Sequence, residues 1–262
     1  MLLAAHRATA RTRTGNWPHR RTVGCQFPPF DEDGSPDVWG VQHMMHPALG
    51  ESVFAEWYTS EALLQTVCEL MGCGKDELQM ELFNMLINPE RADFALRWHR
   101  DDIHESATAD EEREALAKWQ YGVQWNAALL GDTCLFVVPD SHTMPRTPEQ
   151  RTHSSTLDPP KDPMDMPGAI RVTLKPGETV FYNSNILHCA TYTHTTPRLT
   201  LHACIGCTRG GSTRARNILQ HGLAWMEDEK FRDTLNDTGK EMLERLVKMK
   251  NDTGDVGYSL QN

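Results

Sequence analysis

Residues 92–102 read ADFALRWHRDD. Successive side chains of a β-strand alternate faces with a period of two. Phe94, Leu96 and Trp98 would then share one side, and Ala95, Arg97, His99 and Asp101 the other. An imidazole and a carboxylate two positions apart can converge on one ion, whereas Asp102 would point away with Trp98. The spacing selects Asp101 over Asp102. Alone, H-x-D is weak, because any surface turn can produce one.

The neighbouring segments support the strand reading. LQMELFNMLI (78–87) and FALRWH (94–99) are short, apolar and separated by NPER, the pattern of two strands. GVQWNAALL (122–130) and TCLFVVP (133–139) predict a hairpin around Gly131-Asp132. Further strands are expected at AIRVTL (169–174), TVFYN (179–183) and RLTLHACIGC (198–207), with a turn at KPGE. Helices are expected at LLAAHRATARTRTG, closed by Gly15, and at 60–72, with Ser60 as N-cap and Gly72 as stop. Two more are predicted: Thr108–Trp119, with a Thr108/Glu111 capping box, and a docked C-terminal helix over about 226–250. The proline-rich 139–168 reads as a long irregular loop of the lid or binding type. The fold class that follows is mainly β with flanking helices, a β-sandwich or jelly roll. We expect residues 1–262 to form one domain with its core at about 78–210.

Composition narrows the function. The chain has 262 residues, mean hydropathy −0.54 and net charge −10. No run reaches the roughly 18 apolar residues a bilayer span needs. The first 30 residues carry Arg7, Arg11, Arg13, Arg20 and Arg21 and no acid, so the rest is more acidic still. Such a body is a poor partner for phosphate backbones, and no nucleic-acid or membrane partner is expected. The arginine-rich start also suits a mitochondrial presequence; the amphipathic-helix reading is preferred, with a cytoplasmic location. Seven scattered cysteines suit free thiols in a reducing compartment. Cys204 and Cys207 form a C-x-x-C without a second pair, inside an apolar run, and read as buried packing.

The second half of the constellation lies downstream. The strand after KPGE leads into NSN and then His188, and Arg198 follows ten residues later. Two histidines and one carboxylate form the facial triad of non-haem Fe(II) oxygenases, which leaves three positions open. Two suit a bidentate 2-oxo acid and one suits O2. A buried arginine clamps the distal carboxylate of 2-oxoglutarate bidentately, which lysine does poorly. Thr200 and His202 share the strand face of Arg198, so a hydroxyl is at hand.

H-x-D, a following strand, VVPDSH (137–142), PGE plus a strand, the second histidine and an arginine ten later together resemble the phytanoyl-CoA dioxygenase family. The resemblance spans about 78–210 with all motifs in order. It implies a double-stranded β-helix (jelly-roll, cupin-like) fold and dependence on Fe(II), 2-oxoglutarate and O2. It would make His99, Asp101 and His188 the iron ligands and Arg198 the 2-oxoglutarate anchor. Gln124 and Asn126, on one face of the strand VQWNAALL, would reach the cosubstrate. Arg97 would meet its other carboxylate. NPERADFALRWHRDDI, VQWNAALL and ARNILQHG are similar to a branch with many fungal members, several of which tailor secondary metabolites. The expected substrate is a small, moderately apolar organic molecule, met by 102–121, 139–168 and the N-terminal segment. Hydroxylation is the default reaction; Asp101 argues against a halogenase, which has a small residue there.

Two departures stand out: Asp140 replaces the glycine of a PGSH motif, and Ala190 stands where relatives often carry a hydroxyl. Among other histidines, His142 reads as turn support and His43 and His46 as loop residues. His202 reads as a hydrogen-bonded core residue, and His194 breaks the ten-residue interval to Arg198 that His188 keeps. Tyr182 and Trp98 read as packing, and the acidic run ADEEREALAKW as a solvated helix face. Two rival readings remain: a non-catalytic relative serving as ligand-binding or scaffold protein, and a zinc hydrolase using the same ligands without need of Arg198.

Overall fold

The computed structural model describes residues 1–30, 35–118 and 121–260. The chain opens with α1 (Leu2–Arg13), followed by β1 (Arg20–Thr22) and β2 (Val38–Val41). Helices α2 (Val53–Tyr58) and α3 (Glu61–Met71) precede β3 (Leu78–Ile87) and the two-residue β4 (Phe94–Ala95). Helix α4 (Ala109–Leu116) leads to β5 (Gly122–Ala128) and β6 (Leu135–Val138). After α5 (Pro148–Ser154) come β7 (Ile170–Arg171), β8 (Thr179–Tyr182), β9 (Leu187–Tyr192) and β10 (Leu199–Cys207). The chain closes with α6 (Ala215–Leu219), α7 (Glu229–Arg232) and α8 (Asp237–Thr253). No helix among the described residues is long and apolar enough to cross a membrane.

The strands build two antiparallel sheets, β1-β2-β3-β10-β5-β8 and β4-β9-β6-β7, the jelly roll expected from the strand-rich middle of the chain. Period-two alternation divides the larger sheet cleanly. Phe83, Met85, Trp125, Leu201 and Ala203 face outward into a core shared with Ala5, Phe54, Leu64, Met242 and Leu246 of the helices. Leu82, Leu86, Gln124, Asn126 and His202 face inward, toward the smaller sheet, and line a cavity.

At the β3–β10 pairing the register slips between Ala203 and Ile205. A bulge leaves ladder groups without partners, and Tyr58 supplies them. Its hydroxyl donates to the Cys204 carbonyl (2.7 Å) and accepts from the Glu81 amide (2.9 Å). Beside the bulge, the buried Arg214 clasps Glu81 through Nε and Nη2 at 2.7 and 2.6 Å. The clasp requires glycine at 122 and 206, where a Cβ would fall 2.2 Å from Arg214 Cζ and Glu81 Oε1.

Caps located several helices well. Gly15 and Gly72 take left-handed φ of +77° and +63°, and Thr108 and Glu111 exchange both capping-box bonds; Trp119 lies outside the described residues. Other expectations need correction. The segment 94–99 is a ladder only at Phe94–Ala95, followed by an isolated His99–His188 bridge. β5 and β6 do not form a hairpin: β5 pairs with β10 and β8, and β6 with β9 and β7, so the chain crosses between sheets at Asp132. The loop 139–168 contains α5, capped by a Thr147/Gln150 box with Pro148 at its first turn. The C-terminal helix begins at Asp237, because Asp228 and Asn236 cap two separate helices. Asp140, in place of glycine, sits at φ +60°, which aspartate tolerates better than most residues.

Candidate active site

His99 and His188 meet across the small sheet. Each backbone amide donates to the other's carbonyl, at 2.9 and 3.0 Å, which seats the two rings 4.2 Å apart between centroids. The Asp101 amide donates to the Ser184 carbonyl, so the loop after His99 is held against the loop before His188. Arg100, between the two ligand candidates, fastens the same loops by donating to the carbonyls of Ser141, Asn185 and Met144.

Asp101 Oδ1 lies 3.4 Å from His99 Nε2 and 3.6 Å from His188 Nε2. Among the described residues these three form the one group of such side chains whose ligand atoms all fall within 4.8 Å of one another. Each imidazole Nδ1 faces a backbone carbonyl, Arg97 O at 2.7 Å and Ile186 O at 2.8 Å. Donation to these carbonyls leaves the Nε2 lone pairs for a metal; at His99 the Gln26 side-chain amide also reaches Nδ1, at 3.1 Å. Burial, then the neighbouring His99, pulls His188 down to about 4, so it is neutral at neutral pH. Burial opposes the charge of Asp101, but His188, His99 and His202 outweigh it and hold the carboxyl well below the usual range. Two imidazoles and one carboxylate are the donor set suited to non-haem Fe(II). The three side chains open into a cavity between the two sheets, lined by Leu82, Leu86, Gln124 and Asn126 of the larger and Leu135 and Ala190 of the smaller.

Arg198 enters the same cavity just before β10 and is 2% exposed. Its Nε and Nη2 both donate to Asp132 Oδ2, at 3.0 and 2.9 Å, and Nη1 is buried without a partner. The guanidinium is thus held by one edge, with the Nη1/Nη2 end unspent. Tyr192 stacks against it at 4.7 Å. Burial opposes the Asp132 charge, yet Arg198, the Thr200 hydroxyl and the Cys134 amide lower its pKa. Gln124 and Asn126 line the cavity, and the Asn126 side-chain oxygen accepts from His202 Nδ1 (2.8 Å) and the Tyr182 hydroxyl (3.2 Å). His202 and Tyr182 are therefore cavity residues as well as core ones.

Other expected positions lie elsewhere. Arg97 is not in the cavity wall; its guanidinium lies over the Phe27 ring at 4.8 Å, and Nη2 donates to Glu105 (3.2 Å). Strand alternation fails for it because the ladder ends at Ala95. Thr200 is on the inward face, but its hydroxyl donates to Asp132 at 2.6 Å, so it acts through the ion pair. Asp102 turns away, accepting from Arg216 (3.0 Å) and the Ser259 hydroxyl (2.9 Å). His194 pairs with Asp93 on the surface, and His43 and His46 pack with Trp225 outside the cavity. Glu112, read as part of a solvated face, is fully buried between Arg146 and Arg151.

The cavity wall also differs from expectation. Among the described residues, none of 102–121 or 139–168 contributes to it; the N-terminal segment does, through Arg21, Gln26, Phe27 and Phe30, together with Asn217 and His221 around α6. Sequence patterning carried no signal for Asp132, Arg21 or His221, since each acquires its role through contacts distant in sequence.

Solved structures with similar chain traces include AviO1 from Streptomyces viridochromogenes Tue57, at 15% identity, covering 78% of this chain and 84% of that one with a TM-score of 0.48. EctD from S. alaskensis, solved with 2-oxoglutarate and 5-hydroxyectoine, matches at 16% identity, 78% and 68% coverage and a TM-score of 0.49. SnoN, a non-heme alpha ketoglutarate dependent epimerase from nogalamycin biosynthesis, matches at 19% identity, 66% and 62% coverage and a TM-score of 0.44. No curated protein sequence matches the chain. The family profile for phytanoyl-CoA dioxygenase (PhyH) matches residues 37–198, more than half of the sequence and the whole span from β2 to Arg198. The chain belongs to the phytanoyl-CoA dioxygenase family.

Proposed function

We propose that this dioxygenase oxidises, by default hydroxylates, a small and moderately apolar organic molecule in the cavity, in keeping with a place in secondary metabolism. His99, Asp101 and His188 hold Fe(II) in this reading, and Arg198 anchors 2-oxoglutarate. The observation that carries it is the unpartnered, buried Nη1 of Arg198 in the same cavity as the three converging ligand atoms. Asp132 has already fixed the orientation of that guanidinium, so the distal carboxylate meets a preorganised fork. Gln124, Asn126 and Tyr182 supply further polar contacts to the cosubstrate.

When bound, iron with 2-oxoglutarate and O2 supplies an oxidant able to break an unactivated C–H bond, with succinate and CO2 as coproducts. The protein holds the Nε2 lone pairs and one carboxylate on one side and the anchoring guanidinium on another. The apolar walls of Phe27, Leu86 and Leu96 limit water around the reacting carbon. A zinc hydrolase would use the same three ligands but leave the unspent edge of Arg198 without a task. We propose that residues 1–262 act as one catalytic unit, with the cytoplasm as its compartment on the strength of its scattered thiols.

The test is anaerobic addition of Fe(II) and 2-oxoglutarate, read as the weak visible charge-transfer band, then succinate release on admitting O2. Arg198→Ala should weaken 2-oxoglutarate binding sharply and leave metal binding in place. Absence of both band and succinate from folded protein overturns the reading.

A further inference from the structure

A second arginine in the cavity meets no anion among the described residues. Arg21 on β1 is 8% exposed and lines the cavity, yet among the described residues it makes no hydrogen bond or ion pair, and its Nε is a buried orphan. Its guanidinium lies 5.2 Å from the ring centres of both Phe30 and Trp39. Those faces hold the group in place and offer a cation weak attraction, but they accept none of its five N–H donors. The carboxylate that acts on it through space is Asp101, whose charge is shared with His99 and His188.

The backbone is built to accommodate this side chain. Arg21 stands opposite Gly40, where a Cβ would approach Arg21 Cδ, Cβ and Cγ at 3.0, 3.2 and 3.3 Å. Glycine lets the arginine stem lie flat across β2 and carry its charge inward. The pairing Arg21–Gly40–Leu86–Thr200 forms one row across four strands, with all four residues on the inward face. Strand spacing puts the Arg21 and Thr200 backbones about 14 Å apart. The two guanidinium groups thus approach the cavity from separated strands, Arg198 beside Thr200 and Arg21 at the sheet's edge.

Next to Arg21 is a second unspent group. His221 lines the cavity, its ring is 6.2 Å from that of Phe30, and its Nδ1 is buried without a partner. Burial, then the charge of Arg21, pulls it down to about 3, so it offers a neutral imidazole. Leu82, Leu86 and Leu96 form an apolar stretch of the same wall.

We propose that Arg21 is the substrate anchor, binding a carboxylate on an otherwise apolar substrate, with His221 contributing a hydrogen bond to the same polar end. The planar fork of arginine matches a carboxylate in two parallel bonds, and the charge it brings into the cavity is then answered. This rests on the reading that Arg198 takes 2-oxoglutarate, and it narrows the substrate to an organic acid.

The experiment uses the full chain loaded anaerobically with Fe(II) and 2-oxoglutarate, so that Arg198 is occupied. Acid and amide pairs of graded size (propanoate, hexanoate and 4-phenylbutyrate against their primary amides) are titrated calorimetrically. At least one acid should bind tenfold or more tightly than its amide. Arg21→Gln should erase that preference while changing the 2-oxoglutarate Kd less than threefold, and Arg21→Lys, which keeps charge without the fork, should retain part of it. No acid preference in any pair, or a preference that survives Arg21→Gln, overturns the proposal. A tenfold loss of 2-oxoglutarate affinity in Arg21→Gln also overturns it, by giving Arg21 to the cosubstrate. If the Fe(II)–2-oxoglutarate complex does not form, the parent reading fails, and the same titrations on metal-free protein still decide whether Arg21 selects acids.

Discussion

Asp132 accepts both the Nε and the Nη2 of Arg198 on a single carboxylate oxygen, so the arginine is gripped by one edge and left open at the other. Thr200 donates to the same oxygen, and the Cys134 amide donates to the other. The pair is almost fully buried, which makes its members unequal to lose. Asp132→Ala leaves a guanidinium charge without a partner in the interior and should cost about 3–5 kcal/mol in urea unfolding. Thr200→Val removes one charge-assisted bond and should cost about 1.5–3 kcal/mol. Both should raise the 2-oxoglutarate Kd, because the fork loses its fixed orientation. Unchanged 2-oxoglutarate affinity in folded Thr200→Val would show that the hydroxyl plays no part in aiming Arg198.

Asp101 and Asp102 are adjacent, and only one faces the imidazoles. Asp101→Ala should abolish tight Mn(II) binding by equilibrium dialysis, since a site of two imidazoles lacks the hard oxygen donor. Asp102→Ala should leave Mn(II) binding within about twofold of the native protein. It should instead loosen α6 and the C-terminal segment, where Arg216 and Ser259 meet that carboxylate. Equal losses of metal from both variants would contradict the assignment.

The parts of this fold that were legible in the sequence are those specified locally. β3 reads as an unbroken apolar run, α3 and α4 carry their own stops and caps, and the two-residue spacing of His99 and Asp101 brings both to one cluster although no ladder runs through Asp101. Alternation misled one step earlier, at Arg97, where no ladder pairs the chain and the side chain folds back over Phe27 instead. Gly131-Asp132 has the composition of a hairpin turn, but Asp132 is drawn inward by Arg198, and the flanking strands part to different sheets. A turn signal reports what nearby residues permit. It carries no information about an arginine 66 residues away. Arg21 shows the same limit, since what singles it out is Gly40, Phe30 and the lack of an acid partner among the described residues, none of which is periodic.

Stability should fall on mild acidification because of His43. Burial first, then the adjacent His19, His46 and Arg21, pulls it down to about 3, and the Trp225 ring packs on it at 5.4 Å. The folded state therefore binds its proton less readily than the unfolded state, whose histidine titrates near 6.5. Folding stability rises with pH in such a case. The loss begins as pH drops below 6.5, continues toward the folded value, and amounts to about 2 kcal/mol at pH 5. His43 has φ +58°, a conformation asparagine accepts, so His43→Asn is the suitable comparison. The metal-free variant should lose about 2 kcal/mol less than the native chain between pH 7 and pH 5. Parallel pH profiles would place the acid sensitivity elsewhere.

Tyr58 offers the sharpest separation of scaffold from site. Its hydroxyl serves the two backbone groups that the β3–β10 bulge leaves unpaired, the Glu81 amide and the Cys204 carbonyl, from the helix-covered side of the sheet. Phenylalanine fits the same ring space between Phe83 and Trp125 and removes only the oxygen. Two buried polar groups then lose their partner, at about 1–3 kcal/mol for each. Tyr58→Phe should therefore lower the urea midpoint with an unchanged slope, the mark of lost stability without altered compactness. The inward face carries His202, Gln124 and Asn126 on the same strands, and these keep their partners. Mn(II) and 2-oxoglutarate affinities should stay within about twofold. If the variant instead unfolds at the native midpoint, water or a backbone shift satisfies the bulge, and the tyrosine is held there by ring packing alone.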